Sequence, residues 1–228
     1  MMNHVKALTF DLFGTVLDIA WSLHPFIQKF LAERSTELTP EQLWSQWRDR
    51  QRLEQFRDTM MMLGHCGYLE AARRALVYTL RKNHLSYVSD EVDELMTAWQ
   101  QLNPFPEVEA ALARLQDRFT LVVLSNGEPD YLNYLVKERC PFGFDKVISV
   151  NEVGAFKPHP GVYRRAAQIL GSEPGKLMMV SAHPFDVAGA RACGYQGAYV
   201  NRYGSPDDER FPPDLEVDSF TSLADALL

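Results

Sequence analysis

The sequence is poor in cysteine, and its three thiols, Cys66, Cys140 and Cys193, are scattered over 228 residues. An odd, scattered set without a C-x-x-C pair favours reduced thiols over disulfides, a zinc site or a redox dithiol. The chain also lacks any apolar run close to the roughly 18 residues that a membrane-spanning helix needs. No long apolar stretch precedes its first strand-like run. These absences predict a cytoplasmic protein without a membrane partner.

An excess of positive charge is missing as well. Lys and Arg total 23 against 30 for Asp and Glu, which gives a formal net charge of −7. This balance argues against nucleic acid as a partner, although it allows a locally positive pocket for a small anion. Hydrophobic residues make up 46% of the chain, as in ordinary globular proteins. The length suits one core, or a core with an inserted subdomain.

Short apolar runs alternate with helix-like segments along much of the chain, a pattern typical of βαβ units and a parallel sheet. The fold class is therefore predicted as α/β, with a Rossmann-like doubly wound parallel sheet at its core. Tyr203–Pro213, which is polar and rich in proline, is predicted to be a surface loop. The predicted strands are Val5–Phe10, Phe119–Leu124, Lys146–Val150, Leu177–Val180 and Gly197–Val200. The predicted helices between them are Val108–Leu115, Tyr131–Glu138, Gly161–Leu170 and Asp186–Cys193.

Residues 19–101 break this alternation, because they contain no convincing strand. Pro40–Met62 and Tyr68–Lys82 have apolar residues at helical spacing, and Thr39 to Gln42 has the form of a helix start. We predict a helical cap domain over 19–101, inserted into a core domain of residues 1–18 and 102–228 and covering its strand ends. The tryptophans predicted to lie in the core of this cap are Trp21, Trp44 and Trp47.

The run FDLFGT, from Phe10 to Thr15, places a lone carboxylate, Asp11, at the end of the first predicted strand. Open α/β sheets bind their ligands at the carboxyl ends of their strands. Polar residues also follow later predicted strands, so we expect them to converge on one crevice with Asp11. Together they offer a nucleophile, hydroxyl and amide donors, a cation and a second carboxylate. These later segments are Ser125-Asn126-Gly127, Lys157-Pro158 and Ser181–Asp186.

In order and spacing, the four segments resemble the motifs of the haloacid dehalogenase superfamily, and the helical insertion resembles its cap. Phosphatases of that superfamily have a second Asp two residues after the nucleophile and an acidic pair in the last motif. This chain has Phe13 and Ala182 at those positions. Loss of a carboxylate weakens a Mg²⁺ site. An alkoxide leaving group also needs a proton donor that a halide does not. We therefore expect neither a metal nor a cofactor.

The pattern is most similar to the L-2-haloacid dehalogenase branch. That branch has an aromatic residue two after its nucleophile, an SNG segment, a Lys-Pro followed by Tyr, and one late Asp preceded by an aromatic. This chain has Phe13, Ser125–Gly127, Lys157-Pro158 with Tyr163, and Phe185-Asp186. The resemblance implies metal-independent conversion of a short 2-haloacid into a 2-hydroxyacid of opposite hand, through an ester on the nucleophile.

The resemblance also implies a role for each candidate residue. Asp11 is the nucleophile, Lys157 keeps it ionised, and Asp186 orients the water that cleaves the ester. The other predicted site residues assist hydrolysis, bind the substrate, the nucleophile or the halide, or wall the pocket: Leu12, Phe13, Thr15, Arg48, Ser125, Asn126, Tyr163, Ser181, His183 and Phe185.

Two positions depart from the branch. It usually has Asn where His183 stands, so His183 either orients water as Asn does or acts as a base near neutral pH. Its halide-binding Arg follows a Trp, which favours Arg48 after Trp47, while Arg50 is the alternative if a gap is placed before it. The resemblance also implies a homodimer.

Other functions and purely structural roles stay open at this point. The same ester chemistry on Asp11 would serve a hydrolase of another electrophilic carbon, such as a strained ring. A residual phosphatase, or a non-catalytic binding member of the fold, is a further alternative. The carboxylates Asp11 and Asp186 also suit helix caps, and Ser125–Gly127 also suits a turn. Tyr163, Phe13 and Phe185 also suit ordinary packing.

Overall fold

The computed structural model describes residues 4–228, and the chain divides into two compact units. One is built from the residues up to Leu17 together with Pro104–Leu228, and the other from Asp18–Asn103. In chain order, the strands are β1 (Ala7–Phe10), β2 (Leu17–Asp18), β3 (Asn103–Pro104), β4 (Thr120–Ser125), β5 (Lys146–Ser149), β6 (Leu177–Ser181), β7 (Gln196–Val200) and β8 (Leu215–Val217). The α-helices are α1 (Ile19–Ala32), α2 (Pro40–Met60), α3 (Tyr68–Lys82), α4 (Ser89–Thr97), α5 (Val108–Leu115), α6 (Pro129–Arg139), α7 (Pro160–Ile169), α8 (Pro184–Ala192) and α9 (Phe220–Leu227).

Six strands form one parallel sheet in the order β5-β4-β1-β6-β7-β8, while β2 and β3 pair separately. The chain fills one side of β1 first, with β4 and β5, and then crosses to build β6, β7 and β8 on the other. The strand order therefore reverses at β1, and such sheets bind ligands at a reversal of this kind. The predicted doubly wound parallel sheet is confirmed.

The register of the central strands brings the motif residues to one edge. Phe10, the last residue of β1, pairs with Val123 on β4 and with Val180 on β6. Asp11 follows directly, and its backbone N–H donates to the carbonyl of Val180 at 3.0 Å. All four residues of β1 are buried, as expected of a central strand covered on both faces.

The predicted elements of the α/β unit are present, with small shifts at their ends. Helices α6, α7 and α8 begin earlier than predicted, because each starts at a proline: Pro129, Pro160 and Pro184. Proline suits the first turn, where its missing N–H has no helical partner to lose. The short strand β8 and the last helix, α9, were not predicted.

The helical unit consists of α1 to α4, of which only α2 and α3 were predicted individually. Thr39 caps α2 through the predicted capping box with Gln42. Trp47 is fully buried at the unit's centre, where its Nε1–H donates to the carbonyl of Ala72 at 2.7 Å. Trp44 contacts the Trp47 ring, whereas Trp21 is 74% exposed, so its predicted place in the core is wrong. None of the helices in residues 4–228 combines the length and apolar character that crossing a bilayer requires.

Candidate active site

Asp11 lies just beyond the carboxyl end of β1 and is only 4% exposed. Its Oδ2 accepts a hydrogen bond from the Thr15 hydroxyl at 3.0 Å. Thr15 Oγ1 in turn accepts the N–H of Ala182 at 2.9 Å, which directs the hydroxyl proton toward Asp11. Gly14 has a φ of +85°, a conformation that glycine adopts without steric cost, and so lets the chain turn beside the carboxylate.

Lys157 places a cation between the two carboxylates of the site. Its side chain is 1% exposed, and its Nζ lies 2.8 Å from Asp186 Oδ2 and 3.5 Å from Asp11 Oδ1. Asn126 fixes the backbone here, since its Oδ1 accepts the N–H of Lys157 at 2.9 Å. A buried ammonium requires such carboxylate partners, because a buried charge without them is strongly destabilising.

Asp186 stands in the first turn of α8 and is fully enclosed. Tyr163 donates its hydroxyl to Asp186 Oδ1 at 2.7 Å. Burial raises the pKa of Asp186 above its usual range, although the Lys157 ammonium opposes that rise. Burial, together with the neighbouring Asp186, raises the pKa of Tyr163 well above its usual value, so Tyr163 remains a donor. A carboxylate with an upward-shifted pKa suits a general base that works near neutral pH.

Two serine hydroxyls lie at the ends of β4 and β6, the strands on either side of β1. Ser181 Oγ accepts the backbone N–H of His183 at 3.2 Å. Ser125 Oγ is buried and has no hydrogen-bond partner among residues 4–228. A buried hydroxyl left unpaired costs about 1–3 kcal/mol. The site therefore offers Ser125 as a group that a bound ligand can satisfy.

His183 meets the nucleophile loop through one ring nitrogen. Its Nε2 lies 3.0 Å from the carbonyl oxygen of Phe13 and 3.7 Å from Asp11 Oδ2. The imidazole is nearly parallel to the rings of Phe185 and Tyr203, with centroids at 5.6 and 6.3 Å. The predicted aromatic wall at Phe185 is thus packed against the imidazole.

Tyr203 is a site residue that the sequence analysis missed, because it assigned Tyr203–Pro213 to a polar surface loop. No helix or strand forms there, but the Tyr203 hydroxyl donates to the carbonyl of Gly14 at 2.8 Å. The two residues are 189 positions apart in the chain, beyond the reach of local patterns. A signal was present, since Tyr203 closely follows the carboxyl end of β7, at the same edge of the sheet as Asp11.

Phe13 and Leu12 line the nucleophile loop in different ways. Phe13 is buried and stacks on Tyr131, with ring centroids 5.8 Å apart. Leu12 is also fully buried, and its carbonyl accepts the N–H groups of Val16 and Leu17, which closes the loop. These contacts give Leu12 a structural role, and its contact with substrate stays a prediction.

The two arginines considered for the halide lie in the helical unit, on α2. Arg48 donates to Gln51 Oε1 at 3.0 Å and to the Tyr68 hydroxyl at 3.1 Å. Arg50 pairs with Glu54 one turn along the helix, and its guanidinium stacks on the Tyr78 ring at 3.8 Å. Arg50 is therefore held by a carboxylate and an aromatic face, and Arg48 stays the halide ligand that the resemblance predicts.

The donor set does not fit a magnesium ion. Phe13, with its buried ring, stands two residues after Asp11, where the phosphatases have a second acid. The last motif retains only Asp186. The Lys157 ammonium already stands between the two remaining carboxylates. Over residues 4–228, no group of three or more His, Cys, Asp or Glu side chains is arranged to hold a metal ion.

The three cysteines are free thiols, of which Cys140 is buried and Cys66 and Cys193 are partly buried. Burial raises the pKa of Cys66 and of Cys140 to about 12. Burial also raises the pKa of Cys193. All three thiols are therefore protonated at neutral pH.

Comparison with known proteins agrees with this geometry. The chain is 32% identical over 210 residues to haloacetate dehalogenase H-2 of Moraxella sp. (strain B), covering 91% of each. It is 31% identical over 227 residues to the (S)-2-haloacid dehalogenase of Pseudomonas sp. (strain YL), covering 98% of this chain and 95% of that one.

A solved structure with a bound molecule is also similar. It is the L-2-haloacid dehalogenase from Xanthobacter autotrophicus with chloropropionic acid covalently bound, at 26% identity. The TM-score is 0.83, and the match covers 98% of each chain. The model of one family, haloacid dehalogenase-like hydrolase, matches residues 5–194. This chain is therefore a member of the haloacid dehalogenase-like hydrolase family.

Proposed function

We propose that the protein hydrolyses the carbon–halogen bond of short 2-haloacids and yields 2-hydroxyacids through an ester on Asp11. One observation carries the proposal: the Lys157 ammonium lies between two buried carboxylates, with the apolar Phe13 where a phosphatase has its acid. The arrangement keeps a carboxylate ionised for the displacement step and lacks the acid with which a phosphatase protonates its leaving group. It suits displacement of a halide, which leaves as an anion. The named relatives, which are dehalogenases of haloacetate and 2-haloacids, support the same chemistry.

In the first step, an Asp11 oxygen attacks C2 of the substrate from the side opposite the halide. Its lone pair forms the new C–O bond while the electrons of the C–X bond leave with the halide. Asp11 Oδ1 is the better nucleophile of the two oxygens, because its contact is with Lys157 at 3.5 Å. Oδ2 accepts the shorter hydrogen bond from Thr15. Attack from the opposite side inverts C2.

In the second step, water cleaves the ester at the carbonyl carbon of Asp11. Asp186 takes a proton from the attacking water and passes it to the departing alkoxide, which becomes the hydroxyl of the product. The upward-shifted pKa of Asp186 suits this exchange. The other water proton leaves from the regenerated Asp11 carboxyl to solvent. Splitting the reaction in this way is covalent catalysis.

The remaining predicted residues have supporting roles in this proposal. Ser125 and Ser181 offer hydroxyls for the substrate carboxylate, while Phe13 and Phe185 exclude water during displacement. Arg48 remains the predicted halide ligand, assigned by the resemblance. The unpaired, protonated thiols of the protein suit a reducing cytoplasm, which is the compartment we propose. A homodimer remains a prediction of the resemblance.

Halide release tests the proposal directly. We expect release of chloride from chloroacetate and from one enantiomer of 2-chloropropionate, at the same rate with and without a chelator. Absence of halide release with cleavage of an epoxide would favour the strained-ring alternative. Hydrolysis of an aryl phosphate that the chelator abolishes would favour the phosphatase alternative. Either result would overturn the proposal.

The ester itself has its own test. Turnover in ¹⁸O water should place the heavy oxygen in the Asp11 carboxylate and from there, in the next cycle, in the product. The Asp11→Asn variant should lose halide release on the order of 10⁴-fold, because the nucleophile is removed. Asp225→Asn, a change at an exposed acid that pairs with Arg114, is the matched control and should retain activity.

A further inference from the structure

We propose that Tyr203 is a positioning residue for hydrolysis of the ester. It holds the His183 ring so that its Nε2–H, with the Thr15 hydroxyl, donates to Asp11 Oδ2 as that oxygen gains negative charge. The inference rests on the proposed function and adds to it a residue from outside the four motifs. It also assigns His183 a role as a hydrogen-bond donor rather than a base.

The contacts of His183 indicate which of its ring nitrogens carries hydrogen. Its Nε2 lies 3.0 Å from the carbonyl oxygen of Phe13, which can only accept a hydrogen bond. Nε2 therefore carries a hydrogen whether the ring is neutral or charged. The same nitrogen is the one that faces Asp11 Oδ2, at 3.7 Å. A nitrogen that already holds a proton cannot take one from water, so this side of the ring serves as a donor.

The two oxygens of Asp11 have different roles in the ester. Because Oδ1 becomes the ester oxygen, Oδ2 becomes the carbonyl oxygen of the intermediate. Thr15 already donates to Oδ2 at 3.0 Å, and its hydroxyl is oriented by the N–H of Ala182. Preorganised donors around an oxygen that becomes negative are a principal source of catalysis in acyl transfer. The His183 contact at 3.7 Å is long for a hydrogen bond, and such contacts commonly shorten as the reaction proceeds.

Two aromatic rings hold the imidazole of His183 in place. Phe185 and Tyr203 present rings nearly parallel to it, at interplanar angles of 5° and 7°. The Tyr203 hydroxyl ties this arrangement to the nucleophile loop through the carbonyl of Gly14 at 2.8 Å. A Cβ on Gly14 would lie 3.2 Å from His183 Nε2 and 3.4 Å from the Tyr203 oxygen. Loop, imidazole and phenol are thus packed closely around one backbone position.

Hydrolysis of the ester moves electrons only between the water, the Asp11 ester and Asp186. The water oxygen bonds to Asp11 Cγ, and the electron pair of the C=O bond moves to Oδ2, where His183 and Thr15 stabilise it. The pair then returns to re-form C=O while the bond from Cγ to Oδ1 breaks. The alkoxide takes its proton from Asp186, which received it from the water. No oxidant, reductant or co-reactant is needed.

Tyr203 suits mutation because its side chain is 50% exposed, so that its replacement removes little buried surface. In Tyr203→Leu, we expect halide release in the first turnover to keep its rate, while ester hydrolysis slows about 10-fold. The ester on Asp11 should then accumulate and be detected by mass spectrometry of quenched samples. Tyr203→Phe keeps the ring and loses only the bond to Gly14, so its defect should be smaller. The matched control is Phe211→Leu, an exposed aromatic in the same loop, which should behave as wild type.

Variants of His183 complete the kinetic test. His183→Leu removes the donor and should slow hydrolysis roughly 100-fold. His183→Asn restores an N–H donor and should recover most of that rate. If release of the halide and hydrolysis of the Asp11 ester slow by the same factor in Tyr203→Leu and in His183→Leu, the inference is overturned. If the unaltered enzyme releases no halide, the proposed function fails, and the catalytic role of Tyr203 fails with it.

A spectroscopic measurement separates the inference from the proposed function. Long-range ¹H–¹⁵N correlation spectra report which ring nitrogen of a histidine is protonated, and the spectrum of His183→Asn identifies the His183 signals by their loss. We expect His183 Nε2 to carry a hydrogen in the unaltered protein, and to lose it in part of the population in Tyr203→Leu. An Nε2 without a hydrogen in the unaltered protein would overturn the inference whatever substrate the enzyme takes.

Discussion

Two groups of buried polar side chains, one in each unit of the molecule, differ in how completely they are paired. In the α/β unit, Lys157, Asp186 and Tyr163 are buried and joined by contacts of 2.7 and 2.8 Å. In the helical unit, Gln51 and Gln55 on α2 are just as buried, at 0% and 3% exposure. Their Nε2 atoms have no hydrogen-bond partner within the described part of the chain.

The difference is instructive because buried polar groups are normally paired. The fold itself completes the charged cluster of the α/β unit, so its geometry is set before a substrate arrives. The Nε2 amide groups of Gln51 and Gln55 gain no such stabilisation within the described part of the chain. Removing a member of the charged cluster should therefore harm both stability and activity, whereas removing Gln55 should not harm stability.

The largest effect is expected from Lys157→Met. The change leaves Asp11 and Asp186 buried without their cation, which should cost about 3–5 kcal/mol in free energy of unfolding. Halide release should fall on the order of 10³-fold, because the site loses the cation that contacts both carboxylates. Urea unfolding and a chloride assay measure the two effects. Lys137→Met, a change at an exposed lysine, is the control, and a similar loss there would contradict the explanation.

A smaller effect is expected from the arginines of α2. Arg48→Leu should lower kcat/KM for 2-chloropropionate roughly 100-fold, as loss of a donor that stabilises developing charge does in other enzymes. Arg50→Leu should leave kcat/KM within about twofold and lower stability by about 1 kcal/mol or less, since it loses an ion pair and a ring contact. The reverse order of the two kinetic effects would transfer the predicted halide role to Arg50.

Tyr163→Phe should change the pH profile more than the maximum rate. The hydroxyl lowers the pKa of Asp186 by its bond to Oδ1, so its loss should raise that pKa further. Asp186 acts as a base when ionised, so the acidic limb of the pH profile for hydrolysis of the ester, measured after a single displacement, should move to higher pH. An unmoved limb would show that Asp186 does not control it.

The pH dependence of stability in Tyr163→Phe also follows from the pKa of Asp186. Burial raises the folded-state pKa of Asp186 above its unfolded value, so the folded chain holds the proton more tightly. The contribution of this group to stability is present below the unfolded pKa and declines as pH rises through the folded pKa. Tyr163→Phe should extend that decline upward in pH, which urea unfolding at a series of pH values measures.

The smallest effect is expected from Gln55→Leu. Replacing a buried amide whose Nε2 has no partner among residues 4–228 should leave stability unchanged or raise it by about 1 kcal/mol. Gln46 on the same helix is the matched control, because its Oε1 accepts a hydrogen bond from Asn83 at 3.0 Å. Gln46→Leu should destabilise the protein, and thermal unfolding distinguishes the two. A larger loss in Gln55→Leu would remove the contrast between the two units.

The sheet and the strand-end cluster could be predicted from sequence because their signals are local. Asp11 directly follows an apolar run, and a parallel sheet brings such ends together by its own geometry. The last helix was missed although Ser219 caps it and apolar residues recur at helical spacing from Phe220 to Leu227. That signal was present and was not used.

Other features depend on contacts that no local pattern contains. Tyr203 joins the site through Gly14, a partner far away in the chain. The donor role of His183 depends on the direction of the Phe13 carbonyl, which follows from the folded loop alone. The exposed Trp21 shows the converse, since an aromatic residue in a helix need not face the core.

The shielded thiols have a consequence for an enzyme of this kind. Organic halides with an adjacent carboxylate alkylate sulfur, and the reactive species is the thiolate. With a pKa of about 12, the sulfurs of Cys66 and Cys140 are anionic in on the order of one molecule in 10⁵ at neutral pH. The protein can therefore turn over such compounds repeatedly without these sulfurs being consumed by their own reagent.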